Sequence, residues 1–126
     1  MLRRGLHARG FRFRVHDQRL PGRPDIVLRK WRVVIEVLGC FWHRHQGCPK
    51  ATTPATRPDF WRDKFDRNVR RDHANATALM EAGWRVLVVW ECALTRGVSE
   101  SVLDEVTAFV MGGEHHEIRY REIGAF

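Results

Sequence analysis

The chain has 126 residues, 44% hydrophobic and 29% charged, which is enough for one packed core and too apolar for a disordered tail. Lysine and arginine total 22 against 15 aspartates and glutamates, a formal charge of +7 at pH 7, so a polyanion such as nucleic acid is the expected partner, with a basic but inert surface as the alternative. Three cysteines cannot all pair within the chain, the start has no apolar run of signal-peptide length, and no stretch approaches the about 20 apolar residues of a membrane span; a reducing, cytoplasmic setting without membrane contact is expected.

In chain order, Leu2 to Ala8 reads as a short basic helix closed by Gly10. Phe11 to Val15 alternates apolar and polar, the period of a half-buried strand. A turn-rich loop from Asp17 to Pro24 follows. Asp25 to Leu28 and Trp31 to Leu38 are expected to form an antiparallel hairpin across Arg29-Lys30, with Asp25 and Glu36 near one another at the same end. Two carboxylates so placed suit a hard divalent cation such as Mg²⁺.

The stretch from Glu36 to Cys48 carries the densest chemistry: a carboxylate, two cysteines, two histidines and two adjacent aromatics. Cys40, His45 and Cys48, completed by the distant Cys92, make a Cys₃His donor set. Cysteine is also a common small core residue, but thiolates and an imidazole this close suit tetrahedral Zn²⁺, and four protein ligands make a closed, structural site. His43 has no place in that shell and is left for other work. A near-neutral imidazole in a site with a carboxylate-held metal is a candidate general base. Phe41 and Trp42 lie between two ligands; they either fold back as core or wedge into a stack of bases.

Pro58 opens a helix expected to run to about Ala82. Trp61, Phe65, Val69, Ala76, Leu79 and Met80 form a stripe at helical spacing, expected to be core. Other faces carry Arg57, Arg62, Lys64, Arg67, Asn68, Arg70 and Arg71; Asn68 has the paired donor and acceptor that reads a base edge. Gly83 caps this helix, Trp84 to Trp90 reads as a central strand covered on both faces, Ser99 to Met111 as an amphipathic helix ended by Gly112-Gly113, and His115 to Tyr120 as an edge strand. His115 and His116 read as surface residues. Residues 1–126 contain no repeat or linker, so one α/β domain is expected, with a mixed central sheet and helices on both faces.

Pro24-Asp25-Ile26-Val27, Gly39 through His45, Thr56 through Trp61 and Gly83 through Cys92 together resemble the very short patch repair (Vsr) endonucleases. The resemblance runs from about Leu2 to Cys92 and weakens beyond. It implies a restriction-endonuclease-like fold with a structural zinc, and a Mg²⁺-dependent enzyme that nicks DNA 5′ to the thymine of a T:G mismatch. It implies Asp25 as a catalytic metal ligand with Val37 contributing its backbone carbonyl, and Phe41, Trp42, Trp61, Lys64 and Asn68 facing DNA. Glu36 stands where the family usually lacks an acid, and is expected to restore a second carboxylate ligand. Leu38 stands where the family usually has a histidine, so a second catalytic imidazole is missing. Family members also carry an N-terminal segment with a glutamate and a DNA-clasping arm; this sequence starts after it, which points to a misassigned start or a shortened member. A monomer acting on mismatched duplex DNA is expected, nucleoid-associated when bound, with mismatch-repair proteins as further partners. Two rivals stand beside this reading: a zinc-stabilised module that binds distorted duplex without cutting, and a nuclease of other specificity.

Overall fold

The computed structural model describes residues 2–94, 99–112 and 118–124. Its elements are α1 (Leu2–Ala8), β1 (Arg14–Val15), β2 (Ile26–Leu28), β3 (Val33–Leu38), α2 (Pro58–Glu81), β4 (Arg85–Trp90), α3 (Glu100–Met111) and β5 (Tyr120–Ile123), with 3₁₀ turns at Arg29–Trp31 and Glu91–Leu94. The five strands form one sheet in the order β1-β2-β3-β4-β5. The first three run antiparallel; β4 lies parallel to β3, and β5 parallel to β4. The mixed α/β sheet expected from the sequence is therefore present.

The pleat sorts the core into two layers. Ile26, Leu28, Val33, Ile35, Leu87 and Val89 point to the side covered by α1 and α3, meeting Leu2, Leu6, Val102, Leu103, Val106, Phe109 and Val110. Val27, Val34, Val86, Val88 and Trp90 point to the other side, against Leu79 of α2, Trp84, Cys40 and Cys48. Both faces of β4 are thus covered, and all six of its residues are buried, as its unbroken apolar run predicts.

The helix ends follow local chemistry. The Ser99 side chain accepts a hydrogen bond from the Val102 N–H at the start of α3. At the end of α3, buried Arg85 of β4 donates to the carbonyls of Phe109 and Val110, satisfying groups the helix leaves unpaired. α2 ends in a Schellman turn: Gly83, at φ +93°, donates its N–H to Met80 O, and the Trp84 N–H reaches Leu79 O, both at 3.0 Å. Trp84 and Leu79 then pack in the same core layer.

Four expectations are corrected in detail. Phe11 and Phe13 join the core, but pairing of β1 begins only at Arg14, opposite Val27. β2 is three residues long and runs straight into a 3₁₀ turn, so the register leaves residues 11–12 opposite that turn with no strand to pair with. That turn, closed by Arg32 at φ +56°, makes the β2–β3 connection longer than Arg29-Lys30, and β3 begins at Val33. Val69, expected in the core stripe of α2, is 39% exposed, because this part of the helix borders a groove instead of packing on the sheet. The last strand is β5, and the expected strand over His115 to Tyr120, with the reading of His115 and His116, falls partly on 113–117, outside the described residues.

Candidate active site and metal centre

β3 ends at Leu38, and the chain turns through Gly39 into the loop that holds Cys40, His45 and Cys48; the 3₁₀ turn after β4 brings up Cys92. Because β3 and β4 run parallel with Leu38 beside Trp90, both sources of ligands emerge at the same end of the sheet. The ligand atoms of Cys40, His45, Cys48 and Cys92 all lie within 4.8 Å of one another. His45 Nδ1 is 3.5 Å from Cys40 Sγ and 3.5 Å from Cys92 Sγ. Tetrahedral zinc, with bonds of about 2.3 Å to sulphur and about 2.05 Å to nitrogen, requires N···S edges of about 3.6 Å, so the donor set fits. The His45 ring is stacked on Trp90 with centroids 4.2 Å apart, which fixes its plane. Burial pushes the Cys40 thiol up to about 11, with the Cys92 and Cys48 side chains adding to the shift. A bound metal deprotonates its thiol ligands outright. The cluster can therefore hold a metal ion.

Arg44, between two of these residues, is not a surface cation awaiting phosphate. Its guanidinium donates to the carbonyls of Phe41, Ala51 and Thr52 and to Thr53 Oγ1, and lies over the Phe65 ring at 4.0 Å. It ties the metal loop to the 51–53 segment and the root of α2.

The carboxylates sit on the α2 side of the sheet. Ile26 pairs with Ile35, so the register sets Asp25, one residue before β2, across from Glu36; the alternation that turns Val27 and Val34 toward α2 turns both acids the same way. Asp25 Oδ2 accepts the Val37 N–H at 2.7 Å, while Oδ1 lies 3.5 Å from His16 Nδ1. A cleft of about 680 Å³ opens here, lined by Asp25, Glu36, Val37, Leu38, His43 and Asp72 with Arg23 and Arg71. Gly22 brings the 17–24 loop against α2: a Cβ there would meet Asn75 Nδ2 at 2.8 Å.

Burial drives the Glu36 carboxyl up to about 7; the charges of Asp72 and Asp25 raise it further and His43 offsets them. Among the described residues no cation pairs with Glu36. A half-buried acid facing two others is the arrangement a divalent cation completes. Asp72, which the sequence reading missed, also fixes the His43 ring: its Oδ2 lies 2.5 Å from His43 Nδ1. With Nδ1 so engaged, Nε2 is the nitrogen that can accept a proton.

Beside the cleft the aromatic residues gather. Phe41 meets Trp42, Phe65 and Trp61 at centroid distances of 5.0, 5.2 and 6.0 Å. Trp61 also touches Trp42 at 5.9 Å and Phe60 at 5.3 Å. Phe41 is half-buried within this group, whereas Trp42 is 47% and Phe60 43% exposed; Phe60 is the second residue the sequence reading passed over. Lys64 Nζ stands 5.8 Å over the Trp42 ring. Asn68 Nδ2 donates to the Trp42 carbonyl at 3.1 Å. The Cys/His loop, the aromatic cluster and the acid cleft are thus contiguous.

Residues 1–50 match the family model described as DNA mismatch endonuclease Vsr. Over 100 residues the chain is 52% identical to DNA mismatch endonuclease Vsr of Escherichia coli K12, covering 79% of this chain and 62% of that protein. The chain is similar to the Vsr endonucleases over these residues. It is also 49% identical over 90 residues to the type II nicking enzyme V.XorIIP of Xanthomonas oryzae pv. oryzae, covering 71% of this chain and 65% of that enzyme. Against the type II nicking enzyme V.NaeI of Lentzea aerocolonigenes the identity is 36% over 121 residues, 91% of this chain and 66% of that enzyme. The chain thus spans just under two thirds of the length of these three proteins.

Proposed function

We propose that residues 1–126 act as one Mg²⁺-dependent domain that nicks one DNA strand on the 5′ side of the thymine in a T:G mismatch. One observation carries this reading: Trp42, an exposed ring, and His43, an imidazole oriented by Asp72, are consecutive residues beside a cleft that holds Asp25 and Glu36. Recognition of a distorted stack and hydrolysis of the neighbouring phosphodiester then belong to one short loop.

The roles follow from the chemistry. Trp42, backed by Phe41 and Trp61, slides between base pairs; unstacking costs a few kcal/mol and least where pairing is already poor, which is why such a wedge favours a mismatch. Lys64 and the arginines of α2 face the duplex, the arginines supplying phosphate contacts, while Asn68 on the same helix holds the Trp42 carbonyl. His43 Nε2 takes a proton from the attacking water, and Asp72 stabilises the imidazolium that results. Asp25, Glu36 and the Val37 carbonyl would hold Mg²⁺. When bound, that ion polarises the scissile phosphate and offsets charge on the leaving oxygen. Zinc on Cys40, His45, Cys48 and Cys92 keeps the loop rigid, so insertion of the rings loses little ordering entropy. The proposed form is a monomer in the cytoplasm, on the nucleoid when bound, with mismatch-repair proteins as further partners.

Leu38 favours a second reading. It lines the cleft as an apolar side chain where a second imidazole would assist, so the domain binds distorted duplex and does not cut. One experiment separates the readings: incubation with T:G, fully paired and single-stranded oligonucleotides, with and without Mg²⁺. Mg²⁺-dependent nicking confined to the T:G duplex supports the proposal. Tight T:G binding without a nick supports the binding module, and equal cutting of all three supports a nuclease of other specificity.

A further inference from the structure

The clamp between α2 and the metal loop carries an inference about how recognition reaches the cleft. Asn68 Nδ2 donates to Trp42 O at 3.1 Å, and Asn68 Oδ1 accepts from Arg71 Nη2 at 3.3 Å. The two neighbours fix the amide's orientation, because a carbonyl must face the nitrogen and a guanidinium the oxygen. One turn further along the helix, Asp72 holds His43 Nδ1 at 2.5 Å. Residues 68, 71 and 72 stand at i, i+3 and i+4, on one face of α2. That single face therefore grips two successive loop residues, the exposed ring at 42 and the imidazole at 43, and also carries Arg71, which lines the cleft.

Both halves of the Asn68 amide thus make a contact within the protein, with one N–H and one oxygen lone pair left over. The peptide between residues 42 and 43 is rigid and planar. With its carbonyl anchored by Asn68 and the next side chain anchored by Asp72, this peptide and the His43 imidazole are both tied to α2.

We propose that Asn68 is a positioning residue that makes cleavage conditional on insertion of the Trp42 ring, by anchoring the Trp42 carbonyl beside the His43–Asp72 pair. This rests on the nicking reading for its functional consequence, while the coupling itself is a property of the loop and α2. Loss of the anchor leaves the ring able to insert but the imidazole misdirected.

Asn68→Asp is the informative variant, since it is nearly isosteric, keeps an acceptor for Arg71 and loses the donor to Trp42 O. Single-turnover nicking of T:G duplex at saturating protein should slow by roughly 10- to 100-fold, the range expected when a reacting group is misplaced by about 1 Å. The ratio of T:G to paired affinity should stay within about twofold, and Asn68→Asp with Trp42→Ala together should be no slower than the worse single variant. The second readout needs no cleavage. Binding of T:G duplex should shift the His43 ring signals in NMR spectra of the parent but not of Asn68→Asp, while the fluorescence response of Trp42 persists in both. A collapse of the T:G-to-paired affinity ratio with the rate of bound T:G unchanged would overturn the proposal in favour of base-edge reading. So would His43 signals that shift equally in both proteins. A parent that does not nick refutes the nicking reading, and the NMR comparison still decides the coupling.

Discussion

Trp42→Ala and Phe41→Ala should behave differently, although the two residues are adjacent. Trp42 is 47% exposed, so about half its surface is removed from water on folding. Aromatic-to-alanine changes in cores cost about 3–5 kcal/mol, and half burial scales this to about 1.5–2.5 kcal/mol, or roughly 5–12 °C in melting temperature for a domain of this size. Phe41 has more to lose: it is half-buried and its ring meets Trp42, Phe65 and Trp61, with each such pair adding about 0.5–1.5 kcal/mol beyond area burial. Phe41→Ala should therefore destabilise more than Trp42→Ala, and Trp42→Ala should remain folded. Stacking on a base is worth about 1–3 kcal/mol, so Trp42→Ala should cut the T:G-to-paired affinity ratio by about 5- to 150-fold. Salt-dependent binding to any duplex should persist, since arginine–phosphate contacts supply it. Thermal melts and competition binding with the two duplexes measure both quantities. A large fall in melting temperature for Trp42→Ala with an unchanged affinity ratio would refute the wedge and make this ring part of the core.

Other consequences can be checked in the same protein. Cys92→Ala should lose the bound zinc, measured by elemental analysis, and with it cooperative melting, because structural zinc contributes on the order of 10 kcal/mol to folding, most of a typical domain's stability; full metal retention would remove Cys92 from the ligand set. Glu36 has a carboxyl pushed up to about 7, so without added Mg²⁺ the folded state binds more protons than the unfolded one from about pH 4.5 to 7 and stability falls as pH rises through that window. Glu36→Gln should abolish this slope, on the order of 3 kcal/mol at about 1.4 kcal/mol per pKa unit, and should raise the Mg²⁺ concentration needed for nicking; unchanged pH and Mg²⁺ titrations would return Glu36 to an ordinary strand residue. The hydrogen bonds from Arg19 to Asp17 hold that carboxyl down to about 2, with Arg29 contributing. Stability from this cluster is present above about pH 4 and lost as pH falls toward 2, so Asp17→Asn should flatten that part of the acid-unfolding curve.

The parts of this site readable from sequence are those whose signal is local. Cys40, His45 and Cys48 lie close in the chain, and the Pro24-Asp25 turn with the apolar run of β3 fixes a hairpin register that sets Asp25 across from Glu36. Asp72 gave no such signal: it is 29 residues from His43, and only its place one helical turn after Asn68 marks it as a neighbour of the loop. Arg44 was opaque for a related reason, since its partners are loop carbonyls, which no residue type encodes. Val69 shows the limit of periodicity. The stripe on α2 is regular, but the helix meets the sheet around Leu79 and borders a groove at Val69, and spacing cannot tell a covered face from an open one. Phe60 was passed over because its neighbour Trp61 falls on the stripe, yet both rings join the exposed cluster.

The most direct test of a metal-dependent nicking site in this cleft is the comparison of parent and Asp25→Asn on a T:G duplex labelled on each strand. With Mg²⁺ present, the parent should produce a single nick 5′ to the mismatched thymine. Asp25→Asn should produce none while binding the duplex as tightly or more tightly, because a negative charge facing phosphate has been removed. Undiminished nicking by Asp25→Asn would contradict the assignment and move the chemistry elsewhere in the fold.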